Sequence, residues 1–376
     1  MEKRKPKVIV GLSGGVDSSV SLIKLLEQGY DVEAMFMRNW DSAVNNDILG
    51  NPDLMDDVCP QEKDYQDAKK VAEQLGVKLH RVDFIEEYWN SVFTFFLEEY
   101  KKNRTPNPDI LCNKEIKFKT FLDKAIELGA DYIAMGHYAR VIHNGDTHYL
   151  LRGVDSNKDQ TYFLSQLSSS QLAKALFPIG DMLKPDVRAL ARKYNLVVAD
   201  KKDSTGVCFI GERNFKEFLM NYIPANPGDI ISTDGKIVGK HDGVMYYTIG
   251  QRRGLHIGGP GEAWFVCGKD TLHNQLIVGQ GNDIELLYAN RVIVTDVNII
   301  NERFINGQKM QAKFRYRQPD EDISVSWIND TTLEVKCSRP VKAITPGQAC
   351  VFYDGEYCLG GGTINQVYMN DVLRKY

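Results

Sequence analysis

The run Lys7-Val-Ile-Val-Gly-Leu-Ser-Gly-Gly-Val-Asp-Ser-Ser-Val20 constrains what this chain can fold into more than any other stretch. Val8 to Val10 are apolar without alternation, as a strand buried on both faces requires. Gly11 ends the run. Ser13 to Ser19 are mostly small or polar, and Val20, Leu22, Ile23, Leu25 and Leu26 then recur at helical spacing. The stretch reads as buried strand, glycine turn and helix start, with Ser and Asp where capping places them. Such a turn suits an anion. Small residues let the backbone approach closely, while N–H groups and the positive end of the helix dipole face the charge. No Gly-Lys-Ser/Thr follows, which excludes a Walker A loop, and the glycines lack the Gly-x-Gly-x-x-Gly spacing of a dinucleotide turn.

The grammar that begins there continues to about residue 200. Asp31 to Met37 reads as a second strand, and a helix at Asp67 to Leu75 closes on Gly76. Val77 to Val82 reads as a third strand, Tyr88 to Tyr100 as a helix whose Trp89, Phe93, Phe96 and Leu97 pack a core, and Tyr132 to Met135 as a further strand. Residues 38–67, rich in Asp, Asn and Pro, read as a partly mobile insertion, and Asn103 to Lys114 as a polar loop before a helix at Phe118 to Leu128. Alternating strands and helices predict an α/β, doubly wound parallel sheet with its ligand beyond the carboxyl ends of the strands. Past about residue 210 the pattern becomes short β-like pieces between glycine turns. From Arg291 onward it is alternating strands joined by Asn306-Gly307, Pro346-Gly347 and Asp354-Gly355, which predicts a small antiparallel barrel. The expected domains are a catalytic one at 1–210, a central mixed one at 211–285 and a C-terminal β-barrel at 286–376.

A chain of 376 residues can hold two or three domains. No apolar stretch is longer than a strand, and no signal-peptide region precedes the first one, so no membrane span is expected and the expected compartment is the cytoplasm. A net charge of −4 argues against a histone-like nucleic-acid binder but allows local basic patches. Seven cysteines, with no Cys-x-x-Cys pair and no histidine at zinc spacing, predict neither a disulfide framework nor a structural metal site. Two stand out by context. Cys112 lies among Asp109, Lys114, Lys117 and Lys119 ahead of a helix, where the dipole and cations lower a thiol's pKa. Asp109 is there a general acid or base, or an orienting group. Cys208 follows Asp203-Ser-Thr-Gly. Cys267, Cys337, Cys350 and Cys358 sit in β-like runs and read as core, while Cys59 stays unassigned.

The Ser-Gly-Gly-Val-Asp-Ser turn resembles the pyrophosphate loop of the ATP pyrophosphatases, which cleave ATP between its α and β phosphates. The whole chain resembles the bacterial tRNA-specific 2-thiouridylases. The resemblance runs through Gly-Leu-Ser-Gly-Gly-Val-Asp-Ser at 11–18, Phe-Met-Arg-Asn-Trp at 36–40 and Asn-Pro-Asp-Ile-Leu-Cys-Asn at 107–113. It continues through Gly-His-Tyr-Ala-Arg at 136–140, Asn-Lys-Asp-Gln-Thr-Tyr-Phe-Leu at 157–164 and Asp-Ser-Thr-Gly-Val-Cys-Phe-Ile-Gly at 203–211. Thr-Ile-Gly-Gln-Arg-Arg-Gly-Leu at 248–255, Phe-Arg-Tyr-Arg-Gln at 314–318 and Thr-Pro-Gly-Gln at 345–348 complete it. Glu262-Ala-Trp264 departs from a family pattern that often has proline before the tryptophan.

The resemblance implies sulfur transfer to C2 of the tRNA wobble uridine, with ATP and Mg²⁺. It implies that Gly11, Leu12, Ser13, Gly14, Gly15, Val16, Asp17 and Ser18 hold the pyrophosphate, and that Met37 and Gly136 contact the adenosine. Cys208 would carry a persulfide delivered by a cysteine desulfurase or relay protein, and Cys112 would attack it, leaving a transient Cys112–Cys208 disulfide. Asn107, Pro108 and Asp109 would line the target base beside His137. Lys158, Asp159, Gln160, Arg315, Tyr316 and Gln348 would contact the tRNA, expected to be the Lys, Glu and Gln acceptors. Two other readings compete. A ligase acting on an adenylated small molecule explains the first loop but neither cysteine motif. An RNA-binding protein with a regulatory nucleotide site needs no thiol chemistry.

Overall fold

In the computed structural model, residues 4–52, 60–203, 210, 211, 213–281, 284–304 and 307–375 are described. Cys59, Cys208 and Asn306 of the expected Asn306-Gly307 turn lie outside them. The chain divides into two compact units, one of Met1–Phe93, Pro108–Phe218 and Glu356–Cys358, the other of Thr94–Asn107, Leu219–Gly355 and Leu359–Tyr376.

The first unit is built on the predicted parallel sheet. Strand β1 (Lys7–Gly11) leads into helix α1 (Val16–Glu27), and β2 (Asp31–Arg38), α2 (Pro60–Leu75) and β3 (Leu79–Asp83) follow. Beyond β4 (Tyr132–Ala134) and a hairpin of β5 (Ala139–Asn144) and β6 (Thr147–Arg152), β7 (Ala175–Leu176) completes the sheet. Its order is β3-β2-β1-β4-β7, every pair parallel. Val8, Ile9 and Val10 are wholly buried, as their unbroken apolar run requires. Val8, Val10, Val32 and Ala34 share one apolar cluster with Leu22 of α1, Val71 of α2, and Val187 of the helix Lys184–Lys193. The chain leaves β1 for β2 on one side and reaches β4 on the other, so a crevice opens at the carboxyl ends of β1 and β4.

Two local expectations need correcting. The helix expected from Asp67 begins at Pro60, and residues 38–52 are anchored rather than loose. Asn39 and Asp47 are fully buried and Trp40 nearly so. Asp41 accepts the N–H groups of Ala43 and Val44, folding the polar residues into a turn. Asp47 accepts from Trp40 Nε1 at 3.0 Å and pairs with Arg213 at 2.8 Å, both charges out of water. Polar composition suggested a solvated loop because it conceals this buried ion pair. Asp47→Ala strands the Arg213 guanidinium and is expected to cost about 3–5 kcal/mol, read as a lower midpoint in urea unfolding.

The second correction concerns Cys112. The expected polar loop is helical from Pro108, the position where a missing N–H costs nothing. Residues 108–127 form one unbroken helix whose middle, Cys112–Thr120, is π-wound, a geometry frequent at functional sites. Cys112 is buried inside it, with no exposed surface.

The second unit carries the change of grammar. Strands β8 (Gly228–Ser232), β9 (Ile237–His241), β10 (Trp264–Asp270) and β11 (Gln275–Gln280) form a sheet of order β10-β11-β8-β9. Then β12 (Tyr288–Ile299), β13 (Lys309–Lys313), β14 (Glu321–Asn329), β15 (Thr332–Lys342), β16 (Ala349–Asp354) and β17 (Tyr357–Met369) run in the order β12-β15-β14-β13-β16-β17. Antiparallel pairing of β17 with β12 closes the barrel. In β14, Glu321, Ile323 and Val325 are buried while Asp322, Ser324 and Ser326 are exposed, the alternation of a barrel wall. Cys267, Cys350 and Cys358 are buried in strands as expected, and burial pushes the Cys267 thiol up to about 11. Among the described residues no helix is long and apolar enough to cross a membrane.

Candidate functional site

The turn after β1 is shaped by its own small side chains. Ser18 Oγ accepts from Ser13 N at 3.2 Å and donates to Gly15 O at 3.1 Å, and Ser19 Oγ donates to Gly15 O at 2.8 Å. Gly15 is the N-cap of α1 and offers no side chain to its first N–H groups. Those donors, at the positive end of a 12-residue helix, make an anion cradle. Gly14 takes φ +74°, pressed against the Asp64 backbone at the start of α2. Lys201 Nζ ties the same corner, donating to Gly14 O at 3.0 Å and pairing with Asp64 and Asp67.

Other elements reach this turn. A Cβ on Gly11 would meet Met135 Sδ at 2.6 Å and Met37 Cε at 3.6 Å, so both methionines gather over the end of β1. A Cβ on Gly136 would come within 2.8 Å of Ser18 N, so the segment after β4 lies directly on the turn. Tyr138 OH donates to Asp17 Oδ1 at 2.8 Å. Gln160 Oε1 accepts from Tyr138 N, and Gln160 N donates to Tyr138 O, which fastens the 158–160 loop to the same segment. Lys158 pairs with Asp203 at 2.7 Å. Buried Asp159 accepts from Gly153 N and Thr161 Oγ1 and so shapes that loop.

His137 lies between two aromatic rings, Phe118 of the Cys112 helix at 6.0 Å and Phe177 at 6.1 Å. Its Nδ1 is buried without a hydrogen-bond partner. Burial, with the charge of Lys117 adding, holds its pKa well below 6.5, so the ring is neutral at neutral pH. A neutral buried histidine stabilises the fold fully above its unfolded pKa, and that contribution is lost as pH falls below about 6.5. Replacing His137 with asparagine is therefore expected to flatten the decline in melting temperature between about pH 6.5 and 5. Asn113, next to Cys112, donates to Phe163 O at 3.0 Å, and Asp109 is half-buried one turn earlier.

The first unit thus brings together residues 11–18, Met37, Gly136, His137 and Lys158 to Gln160, with the Cys112 helix against His137 through Phe118. Arg315, Tyr316, Gln348 and Asn107 belong to the second unit. There Arg315 donates to Ile249 O and Thr345 Oγ1, and Gln348 Nε2 to Thr105 O at 2.8 Å and Pro106 O at 3.3 Å. In the free protein these two side chains hold loops. Sequence reading missed Tyr138, Lys184 and Lys201. Lys184 Nζ reaches both Asp17 oxygens at 2.8 and 2.9 Å, across a separation of 167 residues that no local pattern reveals. Among the described residues no group of three or more His, Cys, Asp or Glu could hold a metal ion.

A parallel sheet with a glycine anion turn at its crevice defines a nucleotide-binding α/β protein. Accordingly, residues 6–212 match the family described as tRNA methyl transferase HUP domain. Residues 216–280 match the tRNA methyl transferase PRC-barrel domain, and 289–364 the aminomethyltransferase beta-barrel domain. The chain is 56% identical to a tRNA-specific 2-thiouridylase of Acholeplasma laidlawii over 99% of its own length and 100% of the relative's. Identity is also 56% to that of Mycoplasma capricolum, over 96% and 99% of the two chains, and to that of Listeria monocytogenes, over 97% and 96%. The chain belongs to the tRNA-specific 2-thiouridylase family.

Proposed function

We propose that this protein is an ATP-dependent tRNA sulfurtransferase that converts the wobble uridine to 2-thiouridine. One observation carries the reading furthest: the anion turn and the Cys112 helix both pack against the single segment Gly136-His137-Tyr138. This packing supports an activating site and a thiol serving one substrate, and the relatives' names support tRNA as that substrate.

A pyrimidine carbonyl oxygen is a poor leaving group. In the proposed reaction it attacks the α-phosphorus of ATP, pyrophosphate departs, and O2 carries AMP. The turn at 11–18 would hold the phosphates through backbone N–H groups, with Ser13 and Ser18 close by, while Met37 and Gly136 would contact the adenosine. Among the described residues no cluster of three or more His, Cys, Asp or Glu could hold a metal, so Mg²⁺ would come with the nucleotide phosphates and offset their charge. Neutral His137 would stand beside the flipped base with Pro108 and Asp109 without setting a charge of its own against it.

Sulfur would arrive as a Cys208 persulfide from a cysteine desulfurase or relay protein. The Cys112 thiolate attacks the inner sulfur, the S–S electron pair leaves as hydrosulfide, and hydrosulfide displaces AMP at C2. The Cys112–Cys208 disulfide is then reduced by cellular thiols. Alternatively the persulfide attacks C2 itself, and Cys112 then releases the thiolated base with the same disulfide as product. The 1–210 portion would do this chemistry, with the central domain at 211–285 and the C-terminal barrel at 286–376 steering the tRNA through Arg315, Tyr316 and Gln348. The purified protein given tRNA, ATP and a persulfide donor should form 2-thiouridine, read by nucleoside mass spectrometry, and should need all three. ATP–pyrophosphate exchange driven by a small acid and indifferent to tRNA would overturn the reading in favour of a small-molecule ligase.

A further inference from the structure

Asp17 poses an electrostatic problem. It stands in the first turn of α1, beside N–H groups that form an anion cradle. A carboxylate there stabilises the helix. The same carboxylate repels any phosphate that approaches, and a triphosphate brings several negative charges.

The structure answers with a buried cation from 167 residues further along the chain. Lys184 opens the helix Lys184–Lys193, is 8% exposed, and bonds both Asp17 oxygens at 2.8 and 2.9 Å. Tyr138 OH completes the shell of Oδ1. On its other side Lys184 meets Asp203 at 2.7 Å, and Lys158 and Arg188 hold the same carboxylate at 2.7 and 2.8 Å. The backbone N–H of Lys184 is in turn fixed by Asp155 Oδ2 at 3.0 Å. The carboxylates of Asp17, Asp203 and Asp155 thus set the position of this buried lysine on three sides.

We propose that Lys184 is a positioning residue of the phosphate site, acting through Asp17: it cancels the Asp17 charge so that the turn accepts a pyrophosphate or triphosphate. Asp203, with Lys158 and Arg188, fixes the ammonium in place. The proposal rests on the ATP reading above and specifies its electrostatics.

The test is calorimetric titration of inorganic pyrophosphate, and separately of ATP, into the full-length protein without tRNA. Lys184→Gln leaves Asp17 uncompensated, and pyrophosphate affinity is expected to fall about a hundredfold, the order of one unscreened unit charge close to an anion. Lys184→Arg should keep most of the affinity, and it serves as the informative variant if Lys184→Gln fails to fold, since a cation able to reach Asp17 must suffice. The decisive arm is Lys184→Gln combined with Asp17→Asn, which removes the repulsion and should recover most of the loss. Wild-type affinity in Lys184→Gln overturns the proposal. So does a double variant that binds no better than Lys184→Gln, which would make Lys184 a direct phosphate ligand or a structural strut. A wild-type protein that binds neither pyrophosphate nor ATP overturns the ATP reading itself, and the proposal with it.

Discussion

Cys112→Ala and Cys208→Ala are each expected to lower 2-thiouridine formation by at least about a thousandfold, the scale on which removing a nucleophile acts. ATP affinity should stay within about twofold, because neither thiol belongs to the anion turn. Cys112 is fully buried, so alanine removes a small packed group and is expected to cost about 1 kcal/mol, leaving the protein folded. The pair of variants also separates the two sulfur routes. In Cys112→Ala loaded with persulfide, a hydrosulfide route leaves the extra sulfur on Cys208, seen as a 32-dalton class of mass increase on the order of one sulfur atom. Direct persulfide attack instead leaves tRNA joined to Cys208 through a disulfide that dithiothreitol releases. Normal thiolation by either variant would reject the two-cysteine mechanism. Burial adds a further consequence: in the free protein Cys112 should react slowly with iodoacetamide, and the proposed thiol attack predicts faster labelling once tRNA and ATP are bound.

How much of this was legible in the sequence follows from the range of the forces involved. The turn at 11–18 is set by residues adjacent in the chain, so the strand, the glycines and the helix were readable, but the expected Ser or Asp cap was not borne out, since Gly15 holds the N-cap. The barrel strands were readable because burial alternates along them, as β14 shows. Pro108 was the weak point. Beside Asn107 and Asp109 it reads equally as a turn and as a first helical residue, and only packing of Ile110, Ile116 and Phe118 into the core decides for the helix. The segment at 38–52 misled for a similar reason. Asp47 looks solvated until Arg213, 166 residues away, is brought against it. Lys184 was invisible by the same logic, since nothing near it in sequence marks it as a partner of Asp17. Local context marked Cys208 only as a cysteine in a polar loop, and the roles proposed for it and for Arg315, Tyr316 and Gln348 rest on the family resemblance.

Gly14→Ala is expected to damage both the stability of the first unit and its anion turn. At φ +74° an L side chain costs about 1–2 kcal/mol before any contact is counted. The new Cβ would also fall inside the van der Waals surface of the Asp64 carbonyl oxygen. That carbonyl cannot simply retreat. Lys201 binds Gly14 O, Asp64 and Asp67 together, so moving the start of α2 away from the turn breaks the ties that hold both. The expected loss is about 2–4 kcal/mol in urea unfolding, together with a fall in ATP affinity of about a hundredfold or more, because the anion cradle depends on the path of this backbone. Gly29→Ala supplies the control. Gly29 has nearly the same backbone angle, φ +80°, but a Cβ there meets nothing within 4 Å. It should cost only the conformational term and leave ATP binding unchanged. The difference between the two alanines then measures what the contact with Asp64 contributes. Equal losses in stability and unaltered ATP affinity in both would mean that α2 yields freely, and that the turn does not depend on Gly14 to keep its donors aimed at the phosphates.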